Sequence, residues 1–235
     1  MNIDRRKAVS EPDRYGLFHI SFSYEIVRKS ELLFEMQIPK IKTERKTKEQ
    51  MTMKVLAISA SPRKGGNSDV LCDQFLKGAA EKGAAENGNE VKKINLGEMK
   101  ISPCIACYGC TKSHQCVKKD DMAQIQQELI LADVIVLATP VYFYSMDAQM
   151  KIMIDRCLPR YQEIRDKDFY YIITAADPQH SAADETIAGL RGYLRCLPGA
   201  KEKGIIYGTG TWDKGDVFKH PSLEKAYEMG KTIGG

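Results

Sequence analysis

The segment Ser59-Ala60-Ser61-Pro62-Arg63-Lys64-Gly65-Gly66-Asn67-Ser68 gathers hydroxyls, an amide, a guanidinium and a glycine pair. An apolar run, Val55-Leu56-Ala57-Ile58, leads into it, and an amphipathic run from Asp69 to about Ala80 leads out. A strand, a polar glycine-containing loop and a helix start together aim backbone N–H groups at a phosphate. Ser59, Ser61, Asn67 and Ser68 offer donors, Gly66 lets the backbone approach, and Arg63 supplies a cationic fork suited to phosphate. The loop contains neither G-x-G-x-x-G nor G-x-x-x-x-G-K-[ST], so dinucleotide and P-loop readings fall away. One terminal phosphate, as in a mononucleotide such as FMN, suits this set. The plainer reading is a strand–helix connection whose polar residues cap the helix.

A second loop, Thr139-Pro140-Val141-Tyr142-Phe143-Tyr144-Ser145, follows another apolar run, Asp133–Ala138. Pro140, Val141, Tyr142 and Phe143 present aromatic and backbone groups to a flat ring. Tyr142 and Phe143 could pack on an isoalloxazine face or edge while backbone amides meet its polar rim. Alone, the loop is ordinary aromatic packing; beside a phosphate loop it becomes a ring site.

Cys104, Cys107, Cys110 and Cys116 are spaced C-x2-C-x2-C-x5-C. Three thiolates at three-residue intervals can wrap one compact centre, and a fourth can close a four-thiolate shell. The density is nearer to [4Fe–4S] runs than to zinc sites, which pair two C-x2-C units across a longer loop. Three readings stay open: an iron–sulfur cluster, zinc, or no metal, with cysteine serving as a small hydrophobe. Cys72, Cys157 and Cys196 fall in expected helices and carry no assigned role. His114 reads as a ligand, an outer donor or a surface histidine. Trp212, Asp177 and His180 lie on the sheet edge where a cofactor or acceptor would sit. Asp120-Asp121 reads as a helix cap rather than an acid–base pair, with Asp121-Met122-Ala123-Gln124 resembling a capping box.

The elements that must position these groups alternate regularly. Expected strands are Val55–Ile58, Val91–Leu96, Asp133–Ala138, Phe169–Thr174 and Gly204–Tyr207. Expected helices run from Asn67 or Ser68 to about Ala80, from Asp121 past Leu129, over about Met146–Cys157, Ser181–Cys196 and Ser222–Lys231. Five strands alternating with helices make a doubly wound α/β parallel sheet. In the order 2-1-3-4-5 the switch point lies between strands one and three, where Ser59–Ser68 and Thr139–Ser145 converge.

Residues 1–50 read differently: eleven Lys and Arg against eight Asp and Glu, with no clean period. They are expected to be a disordered extension outside the functional domain, residues 51–235, with a partial alternation over Tyr15–Val27 and a basic partner-binding tail as the other readings. A net charge of +4 gives no case for nucleic acid, and no apolar run is long enough to cross a bilayer. No continuous apolar leader stands near the N-terminus, so the expected location is cytoplasmic.

With these pieces in view, the chain resembles the NAD(P)H-dependent FMN reductase branch of the flavodoxin-like superfamily, and within it the iron–sulfur flavoproteins. Ser59–Ser68, Cys104–Cys116 with Asp120-Asp121-Met122, and Thr139–Tyr144 with Lys151 to Arg156 carry the likeness. It implies a flavodoxin-like fold, with Ser61, Arg63, Asn67 and Ser68 on the FMN phosphate and Pro140 to Phe143 flanking the ring. It implies that Cys104, Cys107, Cys110 and Cys116 ligate a [4Fe–4S] cluster beside the flavin. The implied activity is oxidation of NADH or NADPH through FMN and the cluster to a small-molecule or ferredoxin-like acceptor, in a homodimer or homotetramer, with no catalytic acid or base. Competing classes are a flavodoxin-like electron carrier between proteins and a zinc-stabilised binding module.

Overall fold

The structure is a computed structural model and describes residues 52–81 and 88–234. The expectations for residues 1–50 lie outside the described residues. Strand β1, Lys54–Ser59, pairs in parallel with β2, Glu90–Asn95, on one side and with β3, Val134–Tyr142, on the other. Beyond β3 lie β5, Asp168–Ala175, and β6, Lys201–Thr209, both parallel. The spatial order β2-β1-β3-β5-β6 is the expected doubly wound, flavodoxin-like path. One element was not expected: β4, the two residues Ser145–Met146, folds back antiparallel on the end of β3.

Central strands buried on both faces explain their unbroken apolar runs. Leu56, Ile58, Ile135, Leu137 and Ile173 point to one core. Their neighbours Val55, Ala57, Val134, Val136 and Ile172 point to the other. The first core is covered by helices α2, Met122–Leu131, α3, Ala148–Arg156, and α4, Asp184–Leu194. The second is covered by α1, Asn67–Glu81, and α5, Ser222–Gly230. These last two helices touch backbone to backbone. A Cβ at Gly78 would fall on the Tyr227 carbonyl oxygen, and a Cβ at Gly230 on that of Phe75.

Two local expectations are corrected. The capping box at Asp121 does not form: Asp121 makes no side-chain cap bond to its helix. Its carboxylate instead accepts the Lys100 N–H at 2.7 Å. The helix expected from Met146 starts at Ala148, because Asp147 caps it by accepting the Met150 N–H.

Candidate cofactor cleft and cysteine cavity

The loop between β1 and α1 is folded by its own polar groups. Gly66 N–H donates to the Arg63 carbonyl at 2.8 Å, and Arg63 N–H donates to Ser61 Oγ at 3.2 Å. Gly65 takes φ +63°, a left-handed turn that suits glycine, and its N–H donates to Asp69 at 3.0 Å. Asp69 is itself paired with Lys93 of β2 at 2.9 Å, so the loop is braced from the sheet edge. The first N–H groups of α1 have no acceptor within their own helix and face this loop.

Asn67 lines the cleft, and its side chain is engaged within the protein. Its side-chain amide donates to the Asp213 carbonyl at 2.9 Å and accepts from Gly215 N–H at 3.1 Å and Val217 N–H at 3.4 Å. It ties the helix start to the segment after β6. Ser68 Oγ bonds Thr174 Oγ1 of β5 at 2.7 Å. Arg63 Nη1 donates to the Trp212 carbonyl at 3.2 Å.

These loops enclose one cleft of about 400 Å³. Ser61, Arg63, Gly66, Asn67 and Ser68 line one wall, and Pro140, Val141, Tyr142 and Phe143 line another. Ser59 does not reach it. It is the last residue of β1, fully buried between Asn95 and Ala138, with its hydroxyl unpartnered. The remaining wall comes from Thr174, Ala175 and Ala176 after β5, and Thr211, Trp212 and Lys214 after β6. Of these only Trp212 stood out in the sequence. Asp177 bonds the Gln179 N–H and His180 stacks on Tyr207 at 4.3 Å; neither lines the cleft. The donor set of the cleft, Ser61 and Ser68 hydroxyls with Arg63, suits a phosphate in kind; at Gly66 a Cβ would stand 2.9 Å from the Arg63 carbonyl oxygen and 3.0 Å from Ser61 Oγ, so the turn has no room for a side chain there.

The four cysteines line a second, small cavity of about 30 Å³ together with Arg156. Ala106 and Tyr108 turn left-handed between them, at φ 50° and 53°, and Ala106 N–H donates to Cys104 Sγ at 3.4 Å. A left-handed turn that brings a backbone N–H onto a cysteine sulfur suits a thiolate-held centre. The donor set therefore fits a four-thiolate group in kind. Its sulfurs are not gathered: among the described residues no three His, Cys, Asp or Glu side chains stand close enough together to hold an ion. His114 is exposed and does not line this cavity.

The signature of the NADPH-dependent FMN reductases matches residues 53–198, which hold both cysteine and aromatic loops and the phosphate-type turn. The chain belongs to the NADPH-dependent FMN reductase family. It is similar to an iron–sulfur flavoprotein of Archaeoglobus fulgidus, 39% identical over 107 residues, 46% of this chain and 46% of that protein. It is likewise similar to an iron–sulfur flavoprotein of Methanosarcina thermophila, 39% identical over 104 residues, 44% of this chain and 52% of that protein. The matched stretch thus spans about half the length of these curated relatives. Among solved structures its fold resembles the NAD(P)H:quinone oxidoreductase from Methanothermobacter marburgensis, with a TM-score of 0.61 at 16% identity, covering 78% of this chain and 96% of that one. No described helix is long and apolar enough to cross a membrane.

In this member of the FMN reductase family the aromatic wall is held under strain. Phe143 and Tyr144 occupy the hairpin turn between β3 and β4 at φ 50° and 60°, and Phe143 is fully exposed. Left-handed backbone costs a bulky L residue roughly 1–2 kcal/mol. Strain of this kind concentrates at ligand sites. Replacing Phe143 with Gly is expected to stabilise the unliganded protein by about 0.5–1 kcal/mol, after glycine's own entropy cost. Flavin affinity should fall in the same variant. Urea midpoints and flavin titration measure the two effects, and a less stable variant would remove strain from the account.

Asp147, at the root of this hairpin, is buried. Its Oδ1 accepts from Met150 N–H at 3.2 Å and from Thr139 Oγ1 at 3.1 Å, while Oδ2 is buried without a partner. Burial pushes its pKa up to about 7, against the weaker pull of the Met150 and Thr139 hydrogen bonds. In an unfolded chain an aspartate titrates near ~3.9. Between those values the folded state binds more protons than the unfolded one, so stability falls as pH rises through this window. Asp147→Asn keeps the helix cap and removes the titrating group. Its denaturation midpoint should fall less than that of the native protein between about pH 4 and 7, and parallel profiles would contradict the assignment.

Proposed function

We propose that this chain is an FMN-dependent oxidoreductase that draws electrons from NADH or NADPH and delivers them to an acceptor by way of a [4Fe–4S] cluster held by Cys104, Cys107, Cys110 and Cys116. The observation that carries the flavin part is the single cleft in which a phosphate-type helix start faces an aromatic hairpin at the sheet's switch point. FMN, when bound, supplies the hydride and electron chemistry, and the protein supplies binding and orientation. Ser61, Ser68 and the backbone N–H groups at the start of α1 would hold the phosphate. Arg63 and Lys214 would balance its charge, since both line the same cleft. Tyr142 and Phe143 would confine the ring and keep water off one side of it. The cluster part is supported by the four-cysteine cavity and by the names of the similar archaeal proteins. The acceptor, a small molecule or a ferredoxin-like protein, and assembly as a homodimer or homotetramer belong to the same proposal.

Anaerobic purification tests it. The expected protein carries flavin, iron and acid-labile sulfide, and its flavin absorbance bleaches on adding NADH or NADPH. Flavin that is reduced only by a reduced ferredoxin would make the protein a carrier between partners. A colourless protein carrying zinc would overturn both cofactors.

A further inference from the structure

Arg156, at the end of α3, heads the largest fully buried side chains. Its two terminal nitrogens meet the Asp120 carboxylate at 2.7 and 2.9 Å, and Nη1 also donates to the Ser102 carbonyl at 2.6 Å. Asp120 in turn accepts the Ser102 N–H at 3.0 Å. Ser102 and Asp120 flank the segment that holds the four cysteines. One guanidinium therefore clamps that segment at both ends. A second rung lies just outside: Lys100 N–H donates to Asp121 Oδ2 at 2.7 Å and Asp121 N–H returns a bond to the Lys100 carbonyl at 3.1 Å.

A clamp alone has no need of charge. A buried ion pair is often no more stabilising than well-packed apolar residues of the same volume. Two details give the charge a use. Arg156 lines the cysteine cavity and Asp120 does not. The guanidinium Nε is buried with no hydrogen-bond partner, so Asp120 and the Ser102 carbonyl engage only the two terminal nitrogens. Cys116 lines the same cavity as Arg156.

We propose that Arg156 is a positioning residue for a four-thiolate iron–sulfur centre: it closes the cysteine segment at its base and sets a fixed positive charge beside Cys116, while Asp120 sets how much of that charge is felt. The inference rests on the cluster reading given above. A reduced cluster carries one more negative charge than an oxidised one, so a nearby cation favours reduction. Net charge and hydrogen bonding around the sulfurs are the protein's levers on cluster potential. Removing the cation and removing its counter-ion must then act with opposite signs.

The test uses the full chain, reconstituted anaerobically, as the native protein and as Arg156→Gln, Arg156→Lys and Asp120→Asn. Iron and sulfide per chain and the cluster midpoint potential are measured. Arg156→Gln should lose cluster and shift the reduction equilibrium of what remains at least tenfold toward the oxidised form, about 59 mV for one electron. Asp120→Asn should shift it the other way. Arg156→Lys should stay near the native potential while holding iron less firmly, because an ammonium cannot reproduce the bidentate clamp. Should Arg156→Gln fail to fold, Asp120→Asn still reports the sign, and Arg156→Lys still reports the clamp's hold on iron. Unchanged potentials, or shifts of the same sign, in variants that hold iron would overturn this inference and leave the cluster reading intact. Native protein without iron would overturn both.

Discussion

Gly66→Ala should weaken FMN binding about a hundredfold while lowering the melting temperature of the flavin-free protein by only a few degrees. The added methyl would stand 2.9 Å from the Arg63 carbonyl oxygen and 3.2 Å from Arg63 Cβ. The carbonyl is fixed backbone, held by the Gly66 N–H itself. The turn must therefore open, carrying the Ser61 and Arg63 backbone away from the helix start. Hydrogen bonds to a charged group contribute about 1.5–3 kcal/mol each, so losing two at the low end of that range costs about two orders of magnitude in affinity. The flavin-free protein gives up only the Gly66–Arg63 backbone bond, about 1 kcal/mol, which is a few degrees for a domain of this size. Arg63→Ala leaves the N–H cradle in place and should cost less, about tenfold, as for one exposed charge-assisted bond. Flavin fluorescence titration measures both, and unchanged flavin affinity in Gly66→Ala would remove the phosphate assignment from this loop.

Gly78→Ala should do the reverse, lowering the melting temperature by roughly 10 °C while the protein that stays folded binds FMN normally. The new methyl would meet the Tyr227 carbonyl, and backbone atoms cannot rotate aside as a side chain can. Overpacking of a close contact costs up to about 3 kcal/mol, and a domain of this size loses about 2–4 °C per kcal/mol. The disturbed contact lies in the body of α1, three turns below the N–H groups that face the cleft. Differential scanning of the flavin-free protein reads this directly. A native-like melting temperature would mean that α1 and α5 slide apart at little cost.

Much of this arrangement was legible in the chain because it rests on local patterns. Val55–Ile58 and Asp133–Ala138 are apolar throughout, and a strand buried on both faces requires that. The phosphate-type turn was legible because each of its features is set within ten residues. What escaped was set by distance along the chain. Nothing around Thr211 or Lys214 forms a motif; they reach the cleft only because β6 ends on the same edge as β1 and β3. Asn67 reads in the sequence as a phosphate donor and does line the cleft. Its side-chain partners Asp213, Gly215 and Val217, more than a hundred residues on, were not legible there. Asp120 and Asp121 looked like caps from their place just before a helix; Asp120 does accept the Met122 N–H at the helix start, at 3.3 Å, but its shorter bonds go to Arg156, and those of Asp121 go to Lys100. Ser59 was drawn into the site by adjacency to Ser61, but it is still paired within the sheet, between Asn95 and Ala138, and fully buried, whereas Ser61 lies beyond the strand end in the loop.

The bond from Asn67 to the segment after β6 has a consequence for the order of events during synthesis. Three of the cleft's lining residues and all three of Asn67's side-chain partners, Asp213, Gly215 and Val217, come from the last tenth or so of the chain, beyond residue 198 where the family match stops. A nascent chain that has released β1, α1 and β3 already owns the phosphate-type turn and the aromatic hairpin, yet it lacks a wall. Chains emerge at about 5–20 residues per second, so these early elements wait several seconds for their partner. Flavin capture is thus expected to be a late event, coupled to the docking of β6, and chains halted before residue 217 should leave the ribosome without flavin.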